Sequence, residues 1–219
     1  MLIEIDESAF RANDRIAEQT RARLAEAGVL CVNLLSAPGS GKTSLLEATV
    51  DSLSGRARCA VIEGDVATTN DAERLRSHGV TALQINTGEL SAACHLDARM
   101  VAQAVDRLSL AEIDILFIEN VGNLVCPAAF DLGETLKAAV VSLTEGEDKP
   151  LKYPRLFREC RVALINKVDL APYLACDADL LERNLRAIQP ELEIIRTSAT
   201  SGEGVEEWSQ WLLDEASRA

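Results

Sequence analysis

The sequence is poor in histidine, in basic residues and in long apolar runs. Two histidines among 219 residues, with no histidine-rich tract and no cysteine-rich motif near the start, do not suit a protein that stores metal ions. Lysine and arginine total 22 against 35 acidic residues, and the resulting charge of −13 repels nucleic acid and anionic membranes, so neither is expected as a partner. No apolar run reaches the roughly 20 residues that span a bilayer, and no basic start resembles a secretion signal, so we expect a cytoplasmic protein.

Cysteine is present, but without the spacing of a common redox motif. The six cysteines include no C-x-x-C pair, and in a reducing compartment their even number does not imply disulfides. We expect most of them to be thiols of the core, which 47% hydrophobic residues can supply. The length suits one sizeable domain, because a domain takes about 150 residues.

Short apolar runs rich in β-branched residues alternate with longer helical patterns. Continuous apolar runs indicate strands covered on both faces, and their alternation with helices indicates parallel strands. We therefore predict an α/β fold with a doubly wound, mostly parallel sheet of seven strands. The seven runs cover residues 29–36, 59–65, 81–86, 114–120, 138–145, 161–167 and 193–198.

The chain divides into an N-terminal arm and one domain. Residues 1–28 are predicted to form a helical arm, and residues 29–219 the domain that follows it. Apolar residues one heptad apart over 8–28 predict an amphipathic helix, which either lies on its own domain or reaches another subunit. A polar stretch with two prolines, 145–156, predicts an exposed loop leading into a short helix.

A glycine-rich loop directly follows the first predicted strand and leads into a helical pattern. The run Ser36-Ala37-Pro38-Gly39-Ser40-Gly41-Lys42-Thr43 is a P-loop, with serine where the motif normally opens with glycine. Its backbone N–H groups and the helix dipole favour phosphate, Lys42 reaches the β- and γ-phosphate oxygens, and the Thr43 hydroxyl binds Mg²⁺. The alternative, a chance Gly/Ser turn, is disfavoured by the strand before the loop and the helix after it.

Two further segments at predicted strand ends indicate which base is bound. The run Asn166-Lys167-Val168-Asp169 ends one strand, and Ser198-Ala199 ends the last. The Asp169 carboxylate can accept both the N1–H and the exocyclic amine of guanine, which are donors that adenine does not offer in that place. Alone, N-K-x-D is often an ordinary strand-to-turn sequence, but behind a P-loop and in this order it predicts GTP.

Two acidic segments lie between these motifs, at the edge where an open α/β sheet binds its ligand. Asp65 follows the second predicted strand, and Glu119 and Gly122 follow the fourth. Glu119 takes the place of the aspartate in a D-x-x-G switch motif, and Gly122 lets its N–H approach the γ-phosphate. Asp65 holds Mg²⁺ through water, orients the attacking water, or caps the next helix. We predict Lys42, Asp65 and Glu119 as catalytic residues, and Thr43, Asp65 and Glu119 as Mg²⁺ ligands.

Three soft donors form a candidate metal site near this switch. Cys94 and His95 are adjacent, and Cys126 lies four residues beyond Gly122. Two thiolates and an imidazole suit Ni²⁺ or Zn²⁺, and three ligands leave one coordination position open, as a transfer site requires. The alternative is two buried thiols and a histidine at a helix start. The second histidine, His78, ends a helical pattern, where a structural role is favoured.

Together these motifs resemble the HypB family, the GTPases that help to insert nickel into nickel–iron hydrogenase. The resemblance is carried by SAPGSGKTSLLE, EGDVATTNDAERL, CHLDARM, ENVGNLVCP, TEGEDKPLKYP, NKVDLAPY and SATSGEG, over about residues 30 to 212. It implies a fold of the dimerising P-loop GTPase type, a homodimer when GTP is bound, a nickel-delivery accessory protein of the HypA type and a hydrogenase large subunit as partners. The implied GTP site comprises Gly39, Ser40, Gly41, Lys42, Thr43, Ser44, Asp65, Glu119, Gly122, Asn166, Lys167, Asp169, Ser198 and Ala199, and the implied nickel or zinc site Cys94, His95 and Cys126.

Three rival interpretations fit the sequence less well. A passive nickel store with a vestigial nucleotide site needs many histidines or cysteines. A P-loop kinase generally binds ATP, which the N-K-x-D run disfavours. The urease-associated nickel GTPase carries a Cys-Pro-His metal motif, which this sequence does not contain. No arginine finger can be assigned, so we expect slow unaided hydrolysis.

Overall fold

One sheet of seven parallel strands forms the centre of the protein. The structure, a computed structural model, describes residues 7–64, 70–85 and 95–218. The strands are β1 (Leu30–Ser36), β2 (Cys59–Glu63), β3 (Thr81–Gln84), β4 (Ile115–Glu119), β5 (Leu136–Ser142), β6 (Val162–Asn166) and β7 (Glu193–Arg196). The helices are α1 (Glu7–Glu26), α2 (Lys42–Leu53), α3 (Asn70–Ser77), α4 (Ala98–Val105), α5 (Cys126–Ala129), α6 (Lys149–Lys152), α7 (Pro154–Glu159), α8 (Ala178–Ile188) and α9 (Val205–Ala216). Short 3₁₀ helices cover Leu110–Glu112, Leu143–Glu145 and Val168–Tyr173.

The strand order is β3-β2-β4-β1-β5-β6-β7, and every pairing is parallel. The predicted doubly wound sheet is therefore confirmed. The largest shift from a predicted boundary is in β5, which starts at Leu136 because that residue pairs with Val32. It ends at Ser142 because this serine caps the 3₁₀ helix that follows, in a reciprocal capping box with Glu145.

Helices cover both faces of the sheet, which explains the continuous apolar runs. All seven residues of β1 are buried, and successive side chains point to opposite faces. Leu30, Val32 and Leu34 belong to the cluster that α2 and α9 cover, together with the fully buried Trp208. Cys31 lies in the cluster on the other face, under α1 and α4.

Helix α1 packs on its own sheet, beside α4. Ala17 and Leu24 are 0% and 1% exposed. The Asn13 side chain donates to the Asp131 carbonyl at 2.8 Å and accepts from the Ala98 N–H at 2.9 Å, so it joins α1 to the start of α4. Of the two placements expected for this helix, the structure shows the one on its own domain.

The strand ends bring the predicted motifs to one edge. The P-loop follows β1, Glu63 ends β2, Glu119 ends β4 and Asn166 ends β6. Because all the strands run in one direction, these segments meet at the carboxyl edge of the sheet.

In the part of the chain that the structure describes, no helix has both the length and the apolar character needed to cross a bilayer.

Candidate nucleotide and metal site

The P-loop surrounds a cleft of about 450 Å³ at the end of β1. Gly39 and Gly41 adopt φ angles of 75° and 87°, which L side chains rarely adopt. A Cβ on Gly41 would also lie 2.7 Å from the Asn166 amide nitrogen, so this loop needs glycine at that position. Ser36, by contrast, is still part of β1, and its buried hydroxyl donates to the Ala37 carbonyl at 3.0 Å. Serine is tolerated here because the backbone is extended.

The first turn of α2 points into this cleft. The helix starts at Lys42 after Gly41, and no side chain in the described residues caps it. The first N–H groups of a helix have no intrahelical partner, and the dipole makes this end positive. Ser40 lies in the cleft lining and is 1% exposed, while Ser44 is exposed at its rim. The arrangement suits a phosphate chain.

Glu119 holds both P-loop side chains that are predicted to carry chemistry. Its Oε1 accepts from Lys42 Nζ at 2.8 Å and from the Thr43 hydroxyl at 2.6 Å. The carboxylate is 3% exposed, and its Oε2 has no hydrogen-bond partner among the described residues. An orphaned carboxylate oxygen beside a hydroxyl is a hard oxygen donor set, which fits Mg²⁺.

Gly122 lies directly against the P-loop. A Cβ at this position would lie 3.2 Å from both the Cα and the N of Pro38, which are backbone atoms that cannot yield as a flexible side chain could. Glycine therefore allows the switch segment 119–122 to approach the phosphate cleft closely. Asp65, the other predicted switch residue, lies outside the described residues.

The N-K-x-D residues divide between supporting the P-loop and presenting a carboxylate. The Asn166 amide donates to the Ser40 carbonyl at 2.9 Å, and Lys167 Nζ donates to the Gly39 carbonyl at 2.7 Å. Lys167 has a φ of 64°, and it is the only non-glycine with positive φ in the ranges described. This unusual backbone re-aims the chain as it leaves β6.

Asp169 is held by the last strand's loop. The Ser198 hydroxyl donates to Asp169 Oδ1 at 2.6 Å, and the Ser201 N–H donates to the Ser198 hydroxyl at 3.1 Å. The next residue, Ala199, packs partly buried against the core. The structure thus brings together Asp169 and Ser198, two residues of the predicted base site.

Two residues that the sequence analysis did not single out also line the phosphate cleft. Glu63 ends β2 and is 1% exposed, and Arg74 reaches the cleft from α3 while its guanidinium contacts Glu47 at 2.7 Å. An acidic residue ending a buried strand, two positions before Asp65, is a signal that could have identified Glu63. For Arg74 no sequence signal exists, because its position depends on how α3 packs.

Of the two described members of the predicted metal site, His95 contacts Phe130 and Cys126 lies four residues before it. The His95 ring stacks on the Phe130 ring with centroids 3.9 Å apart and an interplanar angle of 20°. Cys126 begins the one-turn helix α5, which ends just before Phe130, and its side chain is partly exposed. Burial lowers the pKa of His95, against the opposing charge of Asp97, and so favours the neutral imidazole that ligates metal.

The third member, Cys94, lies outside the described residues. Within the residues that are described, no three His, Cys, Asp or Glu side chains cluster as a metal site. The other described cysteines are held as thiols. Cys31 and Cys160 are buried, and burial raises the pKa of Cys59 to about 12 and of Cys176 to about 11, which keeps these thiols protonated. His78 instead contacts Asp51 at 2.7 Å.

Comparisons with known proteins agree on one family. A family model described as CobW/HypB/UreG, nucleotide-binding domain, matches residues 30–196. The hydrogenase maturation factor HypB of Escherichia coli K12 is 54% identical over 96% of this chain and 72% of its own length. The HypB of Azotobacter vinelandii is 52% identical over 96% of this chain and 69% of its own.

Solved structures give the same result. A crystal structure of HypB from Helicobacter pylori in complex with nickel matches with a TM-score of 0.88 and 37% identity, over 94% of this chain and 96% of that one. HypB from Archaeoglobus fulgidus matches with a TM-score of 0.87 and 39% identity, over 94% and 99%. The signal recognition particle 54 kDa protein from Aeropyrum pernix, in complex with GDP, is 13% identical with a TM-score of 0.60, over 86% of this chain and 49% of that one, and so shares the fold alone.

Proposed function

The chain belongs to the HypB family of hydrogenase maturation factors, and we propose that it is a cytoplasmic metallochaperone that hydrolyses GTP and assists nickel insertion into a nickel–iron hydrogenase. One observation carries the proposal. Glu119 binds both Lys42 and Thr43, and it stands seven residues before Cys126 in one short segment. A change at the phosphates is therefore transmitted over a short length of backbone to a metal-binding thiol.

Phosphate binding rearranges the contacts of Lys42. The ammonium exchanges the Glu119 carboxylate for β- and γ-phosphate oxygens, while the N–H groups from Gly39 to Ser44 bind the phosphate chain. Thr43 and the released Glu119, with Asp65, would hold Mg²⁺, which neutralises charge between the phosphates when it is bound. The Gly122 N–H faces the γ-phosphate, so the segment after Glu119 distinguishes GTP from GDP.

Base selection follows from the carboxylate held by Ser198. Asp169 accepts two hydrogen bonds from guanine, while Asn166 and Lys167 keep the P-loop carbonyls in place at 2.9 and 2.7 Å. ATP offers Asp169 neither of these donors, and a site built for a polar partner discriminates against a ligand that lacks it by about 10⁴-fold. GTP is therefore the substrate. In the absence of an assigned arginine finger, unaided turnover is slow.

The cargo metal is bound by Cys94, His95 and Cys126. Two thiolates and an imidazole suit Ni²⁺ or Zn²⁺ and leave a position open for transfer. GTP favours a homodimer, and hydrolysis relaxes the 122–126 segment and loosens the metal. An accessory protein of the HypA type delivers nickel, and a hydrogenase large subunit receives it. The nickel complex of the Helicobacter pylori relative supports nickel as the cargo.

The proposal is tested by titrating Ni²⁺ against a competing chelator, with the protein bound to GDP or to a non-hydrolysable GTP analogue. We expect the nickel affinity to differ between the two states by some factor. Because coupling is reciprocal, nickel should change the affinity for the GTP analogue relative to GDP by that same factor. Identical affinities would refute nucleotide-controlled metal transfer.

Matched variants identify the thiol. Cys126→Ala should abolish tight Ni²⁺ binding while GTP hydrolysis continues. Cys176→Ala removes another partly buried thiol outside the proposed site and should leave nickel stoichiometry unchanged. Nickel retained by Cys126→Ala would show that the ligand assignment is wrong.

A further inference from the structure

A chain of buried polar groups crosses the core beneath the phosphate cleft. Asn33 lies in the middle of β1 and is 0% exposed, between the aliphatic residues Val32 and Leu34. Its amide oxygen accepts from the Asn120 side chain at 3.2 Å, and its amide nitrogen donates to Glu134 Oε1 at 3.3 Å. Asn120 and Glu134 are themselves 1% and 4% exposed.

Each end of this chain is a backbone N–H. The Val121 N–H donates to Asn120 Oδ1 at 2.9 Å, and the Leu132 N–H donates to Glu134 Oε2 at 2.7 Å. Because a backbone N–H only donates, the Val121 N–H fixes the orientation of the Asn120 amide, and that amide fixes the orientation of the Asn33 amide, whose nitrogen then faces Glu134. The whole chain therefore has one satisfied arrangement, and its bonds strengthen one another in the core.

The two ends bracket the segment that carries Cys126, one of the three proposed metal ligands. Val121 immediately precedes Gly122, the residue that lies against the P-loop. Leu132 follows Phe130, on which the His95 ring stacks. The segment between them includes Cys126 and helix α5. The first end of this segment is joined to the switch by the covalent backbone. The second end is joined to the same switch by the hydrogen bonds that run through the Asn33 side chain.

Stability alone does not explain an amide at this position. An aliphatic side chain in β1 would be buried without the cost of desolvating an amide, as its neighbours are. A fully satisfied polar network in a core instead selects one arrangement of the segments that it joins. The segments joined here are the phosphate switch and the loop after α5.

We propose that Asn33 is a positioning residue, which couples the phosphate switch at Val121–Gly122 to the metal-bearing segment 126–134. The inference rests on the proposed function. When the Val121–Gly122 backbone turns toward a γ-phosphate, the Val121 N–H moves away from the Asn120 side-chain oxygen or changes its direction. The Asn120 and Asn33 amides then shift, and the loop that ends at Glu134 changes its position. Nucleotide state thus acts on both ends of the metal-bearing segment at once.

The test measures the ratio of Ni²⁺ affinities between the GDP state and the state with a GTP analogue. Coupling between two sites is typically about 5- to 150-fold. In Asn33→Leu we expect this ratio to fall to within about twofold of unity, while GDP binding and nickel binding in the GDP state persist. Loss of coupling with both affinities retained separates positioning from general damage to the fold.

Thr49→Val is the matched control. Thr49 is 1% exposed, and its hydroxyl donates to the Leu45 carbonyl at 2.6 Å. It does not belong to the chain of buried polar groups that includes Asn33. This variant should keep the wild-type ratio.

If Asn33→Leu does not fold, Asn120→Ala breaks the same chain of buried polar groups at a neighbouring link and should give the same loss of coupling.

The two proposals fail separately. A ratio of unity in the wild-type protein overturns the proposed function and the role of Asn33 with it. A wild-type ratio well above unity that survives in Asn33→Leu, or in Asn120→Ala where that variant replaces it, overturns the role of Asn33 alone.

Discussion

At the scale of single residues, the proposed base selection depends on one carboxylate whose position is set by a hydroxyl. Ser198 donates to Asp169 at 2.6 Å, and Ser198 is itself fixed by the Ser201 N–H. The carboxylate therefore does not have to be ordered when guanine arrives, so little conformational entropy is lost on binding. This arrangement makes the chemical identity of residue 169 decisive.

Asp169→Asn should exchange guanine preference for xanthine preference. An amide can donate to the 2-oxo group of xanthine, and its oxygen still accepts from Ser198. We expect kcat/KM for GTP to fall by about 10³-fold and that for XTP to rise, as measured by phosphate release. Asp177→Asn changes a carboxylate that caps α8 and should leave the preference intact. Unchanged GTP selectivity in Asp169→Asn would refute the base-site assignment.

The ion pair between Lys42 and Glu119 is the second decisive contact at this scale. Its side chains are only 11% and 4% exposed, so removal of one partner strands a buried charge. Lys42→Met should therefore lower the free energy of unfolding by about 3 kcal/mol without nucleotide, and should also nearly abolish GTP hydrolysis.

Urea denaturation of the nucleotide-free protein measures the effect. The double variant Lys42→Met/Glu119→Gln should recover part of the lost stability, because the stranded charge is then gone, while hydrolysis stays low. If Lys42→Met unfolds at the wild-type urea concentration, then the Lys42–Glu119 contact contributes nothing to the fold.

At the scale of elements, the loop into α9 depends on one glycine. Gly204 precedes the helix with a φ of 68°, and a Cβ there would lie 1.8 Å from the Arg196 carbonyl oxygen. Gly202 has a φ of 80°, but a Cβ there would meet no atom within 4 Å. The two positions share the backbone strain and differ in the space available.

Gly204→Ala should therefore destabilise the protein far more than Gly202→Ala. Positive φ costs an alanine about 1 kcal/mol in both variants, and overpacking adds about 1–3 kcal/mol more in Gly204→Ala. Thermal unfolding should show a larger fall in Tm for Gly204→Ala, with a weakened guanine site because the same loop carries Ser198. Equal falls in Tm would show that the loop relaxes freely.

The strands were predictable because each is a short apolar run with helices on both faces, and all seven predicted strands are present. The structure of region 145–156 was harder to predict. It holds α6 and much of α7, whose prolines occupy first-turn positions, and Pro150 and Leu156 are buried. Proline marks a loop in local sequence, whereas packing against α8 decides that these turns are helical.

The nucleotide motifs could be located from spacing, since each follows a strand. The roles of Phe130, Asn33 and Arg74 could not, because each depends on which distant segments the fold brings together. An asparagine in a buried strand was visible in the sequence, but its partners Asn120 and Glu134 lie 87 and 101 residues away. The roles assigned to the site residues remain predictions, and Asp65 and Cys94 also lie outside the described residues.

At the scale of the whole molecule, charge opposes self-association. Each chain carries −13, and bound GTP with Mg²⁺ adds further negative charge to each subunit. A homodimer therefore brings together two strongly acidic bodies, and the contacts that join them must overcome this repulsion. Salt screens the repulsion without weakening apolar contacts.

The proposed GTP-bound homodimer should therefore become tighter as salt is added. Raising the ionic strength from about 0.01 M to about 0.1 M shortens the Debye length from about 30 Å to about 10 Å, which removes most of the repulsion between the two subunits. Sedimentation velocity with a non-hydrolysable GTP analogue and Mg²⁺ should show at least a threefold decrease in the dimer Kd, taken as about 0.6 kcal/mol of relieved repulsion. The GDP form serves as the control and should stay monomeric at both salt concentrations. Dissociation of the GTP form at higher salt would instead mean that ion pairs across the interface, rather than apolar contacts, hold the subunits together.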